Sequence, residues 1–320
     1  MIFKKSLIIA VSAMAFLASA NAYNAITLTG GTFNSGPFKG QSVAAFKVGD
    51  EETMMSDWTA FSGNASALGF SISTPTAGGN SFPVENVSWY DAVKWCNLAS
   101  ISLGLTPVYQ TASIPVTSIT RSSTTATVTT NGSHGLSTGN HVTIAGATPA
   151  GYNLTAVVTV ASPTTFTYTV NGSLTTPATG TITAGNIYKT GELVPVVNAA
   201  ANGYRLPTER EWLWAAIGGT NQNTFIYSGS NTANAVAWSS TNSPTGAKEA
   251  GTKAANSRNI YDMSGNVFEW CFDELPGVVG RRVRGGGWVV NDESCQIAIR
   301  GYSDPTRKEL GFGFRIFQNN

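Results

Sequence analysis

Tyr261–Asp273, YDMSGNVFEWCFD, crowds four aromatic side chains, a Gly-Asn turn and three acidic side chains into thirteen residues. Ser264-Gly265-Asn266 is turn chemistry, and the alternation that follows, Val267 and Glu269 against Phe268 and Trp270, reads as a tight loop feeding a short strand. Asp262 and Glu269 flank that loop, with the backbone carbonyls of Gly265 and Val267 between them. Oxygen ligands converging from a tight loop suit a hard cation such as calcium. The same residues also admit a plainer reading. In it Asp262 caps a turn and Glu269 is a hydrogen-bonded structural carboxylate.

Outward from this stretch, the 320-residue chain has room for one large or two smaller domains. Hydrophobic residues make up 42%, enough for substantial cores, whereas charged residues make up 12%, about half the usual share. With 34 glycines and many Thr, Ser and Asn, the composition predicts loop-rich and β-rich structure. A formal net charge of +1 gives no electrostatic case for nucleic acid or an anionic membrane.

The first residues have the plan of a secretory leader. Lys4 and Lys5 precede an apolar run from Leu7 to Leu17, and Ala20-Asn21-Ala22 is an A-x-A cleavage site. The run is too short to span a membrane, and no cysteine near the cleavage site offers a lipid-anchor point. The expectation is a signal peptide over 1–22, cleaved after Ala22, and a secreted or periplasmic protein with no membrane span. Cys96, Cys271 and Cys295 remain beyond it, so at most one internal disulfide can form. There is no C-x-x-C, and the only histidines, His134 and His141, lie together in a Thr-rich stretch, which argues against a histidine zinc site elsewhere.

Two helices are legible. Val87–Leu103 has Ser88 and Asp91 at capping-box spacing, sets Ala92, Trp95, Cys96, Ala99 and Leu103 on one face, and stops at Gly104. A second helix begins within 204–216, YRLPTEREWLWAA, at Thr208, with Glu211 completing a box. Glu209 and Glu211 are two apart, do not share a helix face and do not make a catalytic pair. Between the helices, 111–187 contains Arg121 as its only formally charged residue and alternates through short β-branched runs split by Asn-Gly and Ser-Pro turns. That pattern predicts a small β-sandwich or barrel inserted in a surface loop. A disordered linker is the alternative. In 282–290, RVRGGGWVV, no Lys-Ser/Thr follows the glycines, so they are read as a bulged strand and not as a phosphate loop.

Taken in order, ITLTGGTF (26–33), PVENVSWYDAVKWCN (83–97), YRLPTEREWLWAA (204–216), YDMSGNVFEW (261–270), RVRGGGW (282–288) and GFGFRIF (311–317) resemble the sulfatase-modifying-factor domain, the family of the formylglycine-generating enzyme. The resemblance implies an α+β fold: a loop-rich C-type-lectin-like core, 23–110 and 188–320, with an inserted small all-β domain at 111–187. It implies a structural calcium held by the side chains of Asp262 and Glu269 and the backbone oxygens of Gly265 and Val267. A second family site would draw on Asn234 and Ala235, for which no acidic partner is found.

The enzymes of this family oxidise a substrate cysteine with copper(I) held by two cysteines five positions apart, after the R-G-G strand. Two thiolates are what a soft copper(I) ion requires. Here Cys295 fits the later position and Val290 takes the earlier one, so the sequence argues against formylglycine synthesis. Cys295 would be catalytic only in an enzyme that recruits Cys271 in place of the missing thiolate. Other members use the scaffold for ligand binding, including variable display proteins whose binding surface is this C-terminal stretch. In this chain it offers Trp288, Asn291, Asp292, Glu293, Gln296, Arg300, Tyr302 and Asp304, an aromatic and polar set of the kind binding loops use. The plainer reading is a polar loop before the last strand.

The leading expectation is therefore an exported, non-catalytic member that binds a protein or glycan ligand through its C-terminal loops. A copper-dependent oxidase and a structural or adhesive surface protein are the alternatives.

Overall fold

The computed structural model describes residues 24–320; the leader expected at 1–22 lies outside the described residues. One strand, Phe268–Glu274, separates two aromatic cores. Side chains alternate across a strand, so Trp270, with Phe268 and Phe272, joins one core while Cys271 joins the other. The first core is built on α1 (Met55–Ser62) and α2 (Trp89–Ser102). The second lies under α3 (Glu209–Ala216).

Both long helices start as their sequences dictate. Ser88 Oγ accepts from the Asp91 amide at 3.1 Å, and Thr208 Oγ1 accepts from the Glu211 amide at 3.2 Å. In each box the acidic side chain returns to the cap amide, so two otherwise unpaired donors are satisfied. Leu103, expected on the buried face of α2, is instead its half-exposed C-cap residue, because Gly104 at φ +70° turns the chain away.

The core carries two four-stranded sheets. One orders Ala25–Leu28, Phe46–Gly49, Phe317–Asn319 and Tyr204–Arg205; the other orders Gly301–Ser303, Arg281–Arg284, Phe268–Glu274 and Phe312–Gly313. The closing GFGFRIF segment is not one strand. It pairs in parallel with Phe268–Glu274, crosses over through Phe314–Ile316, and pairs antiparallel with Phe46–Gly49. The glycine run is likewise not a bulge within a strand. Arg281–Arg284 ends there, because Gly285 and Gly286 adopt φ +88° and +74°. A Cβ on Gly286 would meet Cys295 Sγ at 2.8 Å, so only glycine allows the next loop to lie this close.

The Thr-rich segment forms strands at 109–122, 125–130, 141–145, 155–157, 159–162, 165–169 and 183–187. Strand Tyr109–Ser122 is shared: its first half pairs with Thr183–Ile187 and its second with Thr125–Thr130. The sheet thus folds over a core of its own, with Ile119, Val128 and Phe166 from one half facing Val142, Ile144 and Ala184 from the other. Asn97 of α2 holds both passages between this module and the rest of the chain. Its side-chain amide donates to the carbonyls of Tyr109 at 2.7 Å and Tyr188 at 3.0 Å and accepts from the Tyr109 amide.

Lys189 fastens the returning chain, donating to the Leu68 carbonyl at 2.7 Å and to His141 Nδ1 at 2.7 Å. An ammonium has no acceptor, so His141 Nδ1 must be unprotonated. Burial, then the Lys189 charge, holds the imidazole below its ordinary value, and burial lowers Lys189 to about 8. Among the described residues Lys189 is the only charged group acting appreciably on His141. A base whose proton is disfavoured in the folded state contributes fully above its unfolded value, about 6.5, and loses that contribution as pH falls below it. Exchange protection of the Ser71 amide, which donates to the Lys189 carbonyl, should therefore drop roughly fivefold between pH 7.5 and 5.5, the loss of about one hydrogen bond. His141→Gln should abolish that pH dependence; equal dependence in both proteins would count against the His141–Lys189 link.

Candidate functional site

Glu269 lies in the strand that divides the two cores, and its carboxylate is wholly enclosed. Arg315 Nη2 donates to Oε1 at 2.8 Å and Arg315 Nε at 3.1 Å, while Trp212 Nε1 donates to Oε2 at 2.7 Å. Both ion-pair partners are fully buried. Arg315 also donates to the carbonyls of Gly49 at 2.9 Å and Tyr261 at 2.7 Å. Two further carboxylates share its field. Glu52 accepts from the Asn266 side chain at 2.7 Å and the Val267 amide at 3.0 Å. Asp262, at φ +56°, accepts from the Gly251 amide at 2.7 Å through Oδ2, while its Oδ1 is buried without a partner. Burial first, and neighbouring carboxylates after it, push Glu52 well above the usual range; burial pushes Asp262 up to about 6.

The residues expected to hold calcium are thus gathered in one place, but their oxygens are not all available. Glu269 already accepts from Arg315 and Trp212, so a calcium here would draw on Asp262 Oδ1, loop carbonyls and water. Among the described residues no group of three or more His, Cys, Asp or Glu is disposed around a metal position. At the second expected position a protein cation again takes the oxygens. Lys253 Nζ donates to the Asn234 carbonyl at 2.5 Å and to its side-chain oxygen at 3.1 Å, and lies 4.0 Å from the Trp238 ring centroid.

The three cysteines are free, buried and apart: Cys96 in the core on α2, Cys271 in the core under α3, Cys295 in a third small cluster. Cys271 and Cys295 are not brought together. Burial pushes the Cys295 thiol up to about 12 and Cys271 well above its ordinary range, so neither is disposed to be a thiolate. Val290 packs against the cluster that contains Cys295, where a second sulfur would have to sit. These residues do not fit a two-thiolate copper(I) centre.

The expected binding stretch divides in two. Several of its side chains hold the loop to itself or to the core. Trp288 Nε1 donates to Glu85 at 2.7 Å, Asn291 Oδ1 caps the Asp292–Cys295 turn, Asp292 accepts from Ser239 Oγ, Gln296 bonds Tyr227, and Asp304 accepts from Thr306. Glu293 and Tyr302 instead project into solvent. Arg300 does both. It forms a two-pronged pair with Glu209 at 2.7 and 2.6 Å, and its side chain remains 37% exposed.

Glu209 was not expected at the site, yet it joins α3 to this surface. Arg282 and Arg284 reach it at 3.5 and 3.8 Å as well. Burial would raise Glu209, but the Arg300 hydrogen bonds and the charges of Arg284, Arg300 and Arg282 outweigh it and hold the carboxyl below the usual range. Sequence spacing removed Glu209 from a pair with Glu211 correctly. Only the sheet, which lines up alternate residues of 281–284 against the start of α3, reveals its arginine partners.

This arrangement defines the class: a C-type-lectin-like core of the formylglycine-generating-enzyme type, with a β-module between its two halves. The chain belongs to the sulfatase-modifying factor enzyme 1-like domain family, whose description matches residues 14–320. It is 28% identical to the chaperone protein LppX of Paenibacillus barcinonensis over 303 residues, covering 88% of this chain and 82% of that one. It is 27% identical to the formylglycine-generating enzyme of Thermomonospora curvata over 154 residues, covering 38% of this chain and 51% of the enzyme. Among solved structures, CarF superposes with a TM-score of 0.61 at 20% identity, over 93% of this chain and 98% of CarF. Treponema denticola variable protein 1 superposes at 0.57 and 23%, over 92% and 95%. At these identities the structural likeness establishes the fold.

Arg315→Met should cost about 3–5 kcal/mol, because it strands buried carboxylates without their counter-charge. Thermal unfolding of the variant would show it, while excess calcium or a chelator should leave the wild-type Tm unchanged. A saturable calcium stabilisation of the wild type would instead place an ion at Asp262.

Proposed function

We propose that this chain is an exported, non-catalytic member of its family that binds a protein or glycan ligand through the surface of residues 288–307. The observation that carries the reading is Val290 packed into the Cys295 cluster. The position that would supply the second thiolate is filled by an alkyl side chain, and the remaining thiol is buried and protonated. Export rests on the leader features of 1–22. The binding surface rests on Tyr302, 57% exposed, beside loop residues pinned by internal hydrogen bonds. A pinned loop loses little conformational entropy when a ligand arrives. The chaperone relative favours a protein partner, and the Treponema variable protein has the same fold.

The test is an oxidation assay on copper(I)-loaded protein with a Cys-x-Pro-x-Arg peptide, read by mass after aerobic incubation. We expect no conversion by the wild type, with an active family enzyme alongside. Conversion would overturn the non-catalytic reading. Val290→Cys should gain one equivalent of copper(I) by chelator competition where the wild type binds none. On the binding side, Tyr302→Ala should weaken capture of partners found by cross-linking or glycan array about tenfold, roughly the loss of one exposed aromatic anchor, with Tm unchanged. Unaltered capture of every partner would remove the surface assignment.

A further inference from the structure

Three guanidinium groups converge on one carboxylate at the edge of the proposed binding surface. Arg300 takes both oxygens of Glu209, at 2.7 and 2.6 Å, and so matches its charge. Arg282 and Arg284 approach the same carboxylate only at 3.5 and 3.8 Å. The other carboxylate nearby, Asp273, accepts the Glu209 amide at 2.6 Å, and burial raises its pKa, which weakens it as a counter-charge. Positive charge is therefore in excess.

The donors are in excess too. Arg284 donates its two terminal nitrogens to the carbonyls of Ile299 and Ile297, while its buried Nε makes no hydrogen bond and meets Glu209 only as an ion pair at 3.8 Å. The Arg282 side chain makes no hydrogen bond among the described residues. It is only 14% exposed, but its unpaired terminal nitrogens are not wholly enclosed and keep some contact with solvent. Arg300 binds Glu209 through Nε and Nη2, lies 5.5 Å from the Phe38 ring centroid, and leaves its side chain 37% exposed with no hydrogen bond from Nη1. Like charges are not ordinarily held this close without an acceptor on the open side. Arg282 lies directly opposite Tyr302 in the sheet, and opposed residues of an antiparallel pair share a face. An exposed ring therefore flanks the outer guanidinium edges.

We propose that Arg282 and Arg300 form an anion-binding subsite that, with Tyr302, recognises an oxyanion group on the ligand: a sulfate, a phosphate or a carboxylate. This rests on the ligand-binding reading above and narrows it to acidic ligands. The guanidinium fork matches two oxygens of such a group in one plane. Glu209 positions Arg300 and is not itself a ligand contact. Arg284 sits behind the pair and adds charge without reaching the surface.

The experiment is calorimetric titration of the mature chain with inorganic sulfate, inorganic phosphate and acetate at constant ionic strength. The tetrahedral and planar anions distinguish which oxyanion the subsite takes. Saturable binding of at least one anion is expected, weakened about tenfold in Arg282→Gln, the loss of one charge-assisted contact. Arg282→Lys should restore only part of it. Arg282→Gln removes an ion pair with Glu209 but no hydrogen bond of the fold, so a single cooperative unfolding transition with only a small loss of Tm serves as the folding control. No saturable binding by the wild type, or equal binding by Arg282→Gln, overturns the subsite. The two readings fail separately. Absent anion binding with Tyr302→Ala still blocking partner capture leaves the binding surface standing. Anion binding with partner capture indifferent to both Tyr302→Ala and Arg282→Gln confirms the subsite and removes the surface.

Discussion

The buried pair of Glu269 and Arg315 is the constraint on which the rest of the fold hangs. Glu269 belongs to the strand that divides the two cores, and Arg315 to the segment that crosses from one sheet to the other. Through its other nitrogens Arg315 ties the end of the Phe46–Gly49 strand and the start of the 261–268 loop. Through Trp212, Glu269 ties in α3. Two ions removed from water gain little net free energy from each other, so the pair does more for arrangement than for stability. A guanidinium with several acceptors in fixed directions admits one way of assembling those segments.

The outer surface inherits that rigidity. Beyond the Arg281–Arg284 strand, the two left-handed glycines let the loop carrying Cys295 fold flat against the sheet. Trp288 is then fastened to Glu85, which also accepts the Gly311 amide. The loop is long and polar, the composition of a mobile segment, but its polar side chains are largely spent on itself. Among the residues it leaves outward are Glu293, Arg300 and Tyr302, beside Val289, Ile299 and Arg307. Fixed polar groups beside an exposed aromatic on a rigid frame are suited to recognition without reorganisation.

Much of this was legible in the chain. The capping boxes at Ser88 and Thr208 are local chemistry, and both helices start where they predict. The Thr-rich alternation marks this segment as a set of short strands, because period-2 patterning survives without knowledge of partners, although the first strand reaches back to Tyr109 and the last lies at Thr183–Ile187. The failures are non-local. GFGFRIF reads as one alternating strand, and nothing within seven residues says that it changes sheets at Arg315. RVRGGGW reads as a bulge because positive φ at two glycines is indistinguishable from flexibility in a sequence. Oxygen donors around Glu269 and Asn234 suggest metal ions, and nothing local shows that Arg315, 46 residues beyond Glu269, and Lys253, in a stretch that reads only as polar, lie against them. A donor set can be seen in a sequence; whether a side chain of the same protein already satisfies it depends on the fold.

The same logic separates binding from catalysis in this scaffold. The frame around Cys295 does not depend on a second sulfur: Tyr227, Ala233, Val236 and Ala237 close over it, and Val290 completes the packing. Replacing a thiolate by an isopropyl group removes a ligand and supplies apolar volume, so the cluster becomes a better core as it ceases to be a metal centre. The desolvation that keeps the Cys295 thiol protonated follows directly. The proposed binding surface stands on the sheet and the loop beside it, not on the Cys295 cluster, so a change in that cluster need not disturb it. The arginines around Glu209 are held by the sheet register and by α3, neither of which involves Cys295 or Val290.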